Sequence, residues 1–260
     1  MGQTRDLLVV KYGSSSVTNG VGMDEERVER YAGQLAELRR EYDLILVSSG
    51  SVAVGRALWK SALVTNGYSP SEQTLATIGS GRAFTVWQDA LRAHGILAGQ
   101  LLVTHHEIDD PEEGSMLQRV MRDNLTAGIV SLVNENDALN DEEIRVMSYG
   151  GDNDWLAAHI AIALGASKLC LLTDTEGLLD KQGAVVTVVS PRSREHVKEL
   201  LQKPNNLGRG GMESKVGAAQ KAADKGVTTY IGHADAPLEE ILDGKRGTHF
   251  PPALAQNIVE

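Results

Sequence analysis

Cysteine is almost absent from this chain of 260 residues: Cys170 is the one thiol, so no intrachain disulfide can form. That suits a reducing compartment. Cys170 lies in the apolar run Leu169-Cys170-Leu171-Leu172, where it reads as a small buried hydrophobe. Long apolar runs are also missing. None approaches membrane-spanning length, and the N-terminus carries no signal-peptide core, so a soluble cytoplasmic protein with no membrane role is expected. Positive charge is in deficit. The 25 Lys and Arg face 35 Asp and Glu, for a formal charge of −10, which argues against nucleic-acid binding. There is no clustered Cys/His set and no H-E-x-x-H, hence no protein-held zinc. There is no G-x-x-x-x-G-K-[ST], so a P-loop is excluded. Gly79-Ser80-Gly81-Arg82 lacks the third glycine of a dinucleotide fingerprint. Ser49-Gly50 is not set in G-x-S-x-G, and none of the scattered histidines is placed to serve it as a base.

What the chain does have is alternation. Near-continuous apolar runs at 7–10, 44–47, 96–103, 129–133, 168–172, 185–189 and 228–231 read as strands covered on both faces. Between them lie helical patterns at 72–94, 115–127, 154–164, 194–202 and 211–225. A further helix is marked by Val28, Tyr31, Leu35 and Leu38 behind Asp24, Glu25 and Glu26. Such alternation predicts an α/β fold, with a mostly parallel sheet between helical layers. No internal repeat or low-complexity linker divides the chain. Residues 204–208 read as a loop, and the acidic stretch 107–113 as solvated surface.

The polar residues gather where strands end and helices begin, the places at which open α/β sheets hold ligands. Lys11-Tyr12-Gly13-Ser14-Ser15-Ser16, Ser48-Ser49-Gly50-Ser51, Asn134-Glu135-Asn136-Asp137 and Thr173-Asp174-Thr175-Glu176-Gly177 each follow a strand candidate. Gly151-Asp152-Asn153-Asp154 precedes the helix at 154–164, where Asp152 or Asn153 could equally serve as a simple N-cap. Glycine lets backbone N–H groups approach an anion, and lysine supplies a compact positive charge. Gly208-Arg209-Gly210-Gly211-Met212-Glu213-Ser214-Lys215 opens another helix, whose N-terminus favours phosphate. The lack of a general base fits phosphoryl transfer to a carboxylate. That acceptor, with a pKa of about 4.3, is already ionised at neutral pH. The demand is then to bring two anions together, which lysines, loop amides and Mg²⁺ can meet.

Taken together, these six segments resemble the amino acid kinase family, and within it the glutamate 5-kinases, from about residue 7 to about 248. The lysine-glycine, Thr-Asp and Gly-Gly-Met elements are shared widely in that family. The Asn-Glu-Asn-Asp and Gly-Asp-Asn-Asp pair is more specific to the glutamate enzymes. The resemblance implies a three-layer α/β/α sandwich with a mainly parallel central sheet. It also implies one domain over 1–260, with an acceptor lobe at about 1–165 and a nucleotide lobe at about 166–260. The implied reaction is phosphorylation of the L-glutamate γ-carboxylate by ATP, the first step of proline synthesis.

By the same resemblance, Lys11 and Lys215 would stabilise the transferring phosphoryl group. Gly13 and Gly50 would donate backbone N–H groups, and Asp154 would orient the lysines. Ser49, Asp137 and Asn153 would bind the amino acid. Lys11, Thr173, Asp174, Arg209, Gly210, Gly211, Met212, Glu213, Ser214 and Lys215 would bind the nucleotide. Mg²⁺ would be held mainly by ATP phosphates and water. The expected partners are L-glutamate, ATP, further copies in a dimer or tetramer, and a glutamyl phosphate reductase downstream. The chain resembles the form with the kinase domain alone, without a PUA domain. It departs from the usual pattern by an extra serine in the first loop, by Arg209 and Ser214 in place of threonines, and by a longer stretch at 140–149. Two other readings stay open: a family relative acting on another small acid or phosphate, and a noncatalytic ligand-binding protein on the same fold.

Overall fold

Apolar runs that cannot face water become the inner strands of a single sheet. The structure, a computed structural model, describes residues 5–62, 67–139, 153–193, 197 and 211–253. Its strands are β1 (Asp6–Tyr12), β2 (Tyr42–Ser48), β3 (Ala98–Val103), β4 (Val130–Glu135), β5 (Lys168–Thr173), β6 (Thr228–His233) and β7 (Thr248–Phe250). They lie in the order β3-β4-β2-β1-β5-β6-β7. Every pairing is parallel except that of β7 with β6.

Because side chains alternate across a strand, the sheet has two apolar faces. Leu8, Val10, Tyr12, Leu44 and Leu46 pack against α2 (Glu25–Leu38) and α4 (Glu72–Ala93). Val9, Ile45, Val47, Leu169 and Leu171 pack against α7 (Asn153–Leu164) and α8 (Met212–Asp224). The expected three layers are therefore present. Each buried aliphatic side chain stabilises them by roughly 1.5–3 kcal/mol. Among the described residues no helix is long and apolar enough to cross a membrane.

The helix starts follow from capping chemistry. The Asp24 carboxylate accepts from the Arg27 amide at the head of α2, and the Ser71 hydroxyl accepts from the Thr74 amide at the head of α4. The remaining helices are α1 (Ser14–Val17), α3 (Ser51–Ser61), α5 (His105–Asp109), α6 (Pro111–Thr126) and α9 (Leu238–Leu242). α3 and α4 cross at nearly van der Waals backbone contact, at Gly55 and Gly79. A Cβ on Gly55 would lie 1.8 Å from the Leu75 carbonyl oxygen, and one on Gly79 would lie 2.0 Å from that of Ser51.

One expectation needs correction. The run 185–189 forms no strand; it makes isolated bridges, Leu179 with Val185 and Val188 with His249, because β7, the edge strand it lies against, is only three residues long. The acidic stretch at 107–113 does lie at the surface, with Pro111, Glu112 and Glu113 exposed, and it is helical. It supplies α5 and the first turn of α6, where Asp110 caps the Glu112 and Glu113 amides and Pro111 occupies the first helical position. The predicted helix at 194–202 and loop at 204–208 lie outside the described residues.

Candidate active site

Parallel pairing puts the C-terminal ends of neighbouring strands side by side. Tyr12 on β1 stands opposite Ser48 on β2 and Leu172 on β5, while Val47 on β2 stands opposite Val133 on β4. The loops after β1, β2, β4 and β5 therefore leave the sheet along one edge, as their sequences suggested.

At that edge lies a buried ionic centre. Lys11 continues the Val9 face of β1 and so points toward α7 and α8. Its Nζ is 2.7 Å from Asp154 Oδ1, and Lys215 Nζ is 3.1 Å from Asp154 Oδ2. Asp154 is completely buried, and the lysine side chains are 5% and 8% exposed. Asp154 sits in the first turn of α7 and Lys215 in the first turn of α8. Three elements distant in sequence thus meet through one carboxylate, which offers one oxygen to each lysine. These three charges lie in a poorly hydrated place, where charge interacts strongly.

Glycines stand at two helix heads along this edge. Gly13 heads α1, where a Cβ would make an ordinary van der Waals contact with Lys11 Nζ at 3.7 Å. Gly50 heads α3 at φ +113, a conformation that L side chains rarely adopt. Neither helix head has a side-chain cap, nor does Gly211 at the start of α8.

Beside the ionic centre runs an amide chain. The Glu135 backbone N–H donates to Asn153 Oδ1 at 3.1 Å, and Asn153 Nδ2 donates to Ser49 Oγ at 2.8 Å and Asn134 Oδ1 at 3.0 Å. Asn134 Nδ2 donates to Ser51 Oγ at 2.7 Å. Ser49, Ser51 and Asn134, with Ser80, Phe84 and Trp87, line a small pocket partly open to solvent. The Trp87 indole N–H donates to Ser48 Oγ at 2.9 Å and steadies its wall. Asp137 lies half-buried in the turn that follows β4, its amide on the Glu135 carbonyl at 2.9 Å.

On the other side of the centre, buried Thr173 ends β5 and donates through Oγ1 to Asp174 Oδ1 at 3.2 Å. Gly211, Met212, Glu213, Ser214 and Lys215 form the cap and first turn of α8. The Ser214 hydroxyl is buried there with no hydrogen-bond partner among the described residues. Gly151, Asp152, Arg209 and Gly210 lie outside the described residues. Two residues of the amide chain, Asn134 and Ser51, had no individual role assigned from sequence, although both lie in loop segments singled out there. Asn134 is a polar residue ending an apolar strand. Ser51 starts a helix, α3, that no strong periodicity announced.

The family model described as the amino acid kinase family matches residues 6–233. Over 95% of its length the chain is 34% identical to the glutamate 5-kinase of Methylococcus capsulatus, covering 68% of that protein. It is 35% identical over 94% of its length to that of Acinetobacter baumannii (strain SDF), covering 66%. It therefore spans about two thirds of the length of these curated relatives. Among solved structures, carbamate kinase from Giardia lamblia bound to AMP-PNP superposes with a TM-score of 0.68 at 13% identity, covering 96% of this chain and 99% of that one, a likeness of fold. By sequence and by architecture, the chain belongs to the amino acid kinase family, on the branch that holds the glutamate 5-kinases.

Proposed function

We propose that this protein transfers the γ-phosphoryl group of ATP to the γ-carboxylate of L-glutamate, forming L-glutamyl 5-phosphate at the first step of proline synthesis. The observation that carries the reading is Asp154 holding Lys11 and Lys215 together at the sheet edge, beside the Ser49–Asn153 pair. A carboxylate oxygen of glutamate attacks the γ-phosphorus. The new O–P bond forms as the bond from the γ-phosphorus to the bridging oxygen breaks, and ADP leaves with that electron pair. No proton has to be removed from the acceptor.

The protein's task is electrostatic. Lys11 and Lys215 stabilise charge spreading over the transferring group, and Gly13 and Gly50 leave backbone N–H groups free to join them. Asp154 keeps the two ammonium groups in place. Mg²⁺, carried by ATP phosphate oxygens and water, would neutralise phosphate charge; Asp154 commits its oxygens to the lysines. Ser49, Asn153 and Asp137 serve the acceptor, with Asp137 suited to the α-ammonium. Thr173, Asp174 and the 209–215 segment serve the nucleotide. This division places the acceptor in a lobe of about 1–165 and ATP in one of about 166–260. The product is a labile acyl phosphate, so glutamyl phosphate reductase is the pathway partner that would consume it.

The test is trapping with hydroxylamine. L-Glutamate, ATP and Mg²⁺ should give γ-glutamyl hydroxamate, while D-glutamate, aspartate and N-acetylglutamate should not. Absence of trapped product from folded protein that binds ATP would refute the acceptor assignment.

A further inference from the structure

The donors and acceptors of the amide chain can be assigned without ambiguity, because it begins at a backbone amide. An N–H can only donate, so the atom of Asn153 facing Glu135 is its oxygen and the other is its NH₂ group. That group donates to Ser49 Oγ and to Asn134. The Asn134 atom receiving it must then be oxygen, which turns the Asn134 NH₂ toward Ser51 Oγ. Both hydroxyls accept from the chain. Their own protons are left for a further acceptor, and neither Ser49 nor Ser51 donates through its hydroxyl to any described residue. One N–H of Asn134 is likewise beyond those the chain uses.

The described side chains lining the pocket are hydroxyls, amides, alanine, leucine and aromatic rings, with no ionised group among them. Recognition there depends on dipoles, and those of Ser49, Ser51 and Asn134 leave donors for the pocket. Run the opposite way, the same residues would offer lone pairs and attract an ammonium. We propose that Ser51 is a specificity-determining residue, and Asn134 the residue that positions it, so that the pocket edge made by Ser49 and Ser51 takes the non-reacting carboxylate of the acceptor. This rests on the functional reading above. Asn153 then acts on the acceptor through Ser49, its carboxamide being occupied by Glu135, Ser49 and Asn134. Ser51 is 2% exposed, so a hydrogen bond it makes to an ion is shielded from water and strengthened accordingly.

Two variants and one probe pair test the idea. Ser51→Ala removes the donor, and KM for L-glutamate should rise roughly 10- to 100-fold, the range of one hydrogen bond to a charged group. KM for ATP should stay within about twofold, and Ser51→Thr should restore the KM for glutamate. The preference for L-glutamate over its α-carboxamide should shrink in Ser51→Ala. Asn134→Asp keeps the size but forces Ser51 to donate inward, so it should raise the same KM at least as much. An unchanged KM or an unchanged preference in Ser51→Ala overturns the proposal. Independently of turnover, the Asn134 side-chain amide resonance should shift on titration with propionate and not with propylammonium; any other pattern overturns it. If the wild type fails to phosphorylate L-glutamate, the functional reading falls, while the propionate and propylammonium titrations still decide the polarity of the pocket.

Discussion

Asp154→Asn separates what holds the ionic centre together from what does chemistry. The substitution keeps the side-chain size and removes one negative charge from a completely buried position between two lysines, 2.7 and 3.1 Å away. Both ammonium groups are then left facing each other without that counter-charge. Removing one partner from a buried ion pair costs about 3–5 kcal/mol. At a urea m-value of about 3 kcal/mol per molar, the unfolding midpoint should fall by about 1–1.7 M. A domain stable by about 10 kcal/mol, the middle of the usual range, survives that loss, so the variant can be assayed folded. Lys215→Met is the counterpart. It keeps the aliphatic stem and leaves Asp154 paired with Lys11, so stability should change by less than about 1 kcal/mol. Its kcat should nonetheless fall by about 10²–10³, the usual loss when one donor to a developing anion is removed, with KM for ATP changing far less. If Asp154→Asn shifts the midpoint by less than about 0.3 M, the lysines are neutralised some other way and the account of the centre is wrong. If Lys215→Met leaves kcat unchanged, Lys215 is not part of the chemistry.

Gly79→Ala would push a Cβ to 2.0 Å from the Ser51 carbonyl oxygen, forcing α3 and α4 apart. A loss of about 3 kcal/mol is expected, seen by calorimetry as a fall in Tm of roughly 6–12 °C; a Tm unchanged within error would show that the helices separate at no cost. Gly50→Ala combines φ +113 with a Cβ 3.3 Å from Val17, and should cost about 1–3 kcal/mol in urea unfolding while lowering kcat through displacement of the α3 head. Burial pushes the Cys170 thiol up to about 12, so at pH 8 the native protein should resist a thiol reagent that labels it fully in denaturant. Rapid native labelling would contradict the packing of β5.

Much of the layer architecture was legible because inner parallel strands need apolar residues on both faces, and β1, β2, β4 and β5 carry them. The three conspicuous charges of the centre were also legible as candidates, since Lys11 beside Gly13, Asp154 at a helix head and Lys215 after Gly210-Gly211 are costly residues to place at sheet edges for structural reasons alone. Other elements were not. β7 is only Thr248–Phe250 and exists by pairing with β6, while the run 185–189 has strand-like composition but meets only that short strand, by a single bridge at His249. α3 is short, and its place is set by close packing on α4 at Gly55 of α3 and Gly79 of α4.

The division follows the range of the forces. Residue sequence by itself determined the alternation of strands and helices, the helix caps at Asp24, Ser71 and Asp110, and the supply of glycine, lysine and amide groups, because these depend on neighbours within a few positions. Only the tertiary structure decided that one Asp154 carboxylate would divide itself between Lys11 and Lys215, and that the Glu135 amide would orient Asn153, Asn134, Ser49 and Ser51. Those arrangements join residues far apart along the chain, and hydrogen-bond direction is settled only once the sheet has brought the donor and the acceptor within about 3 Å of each other.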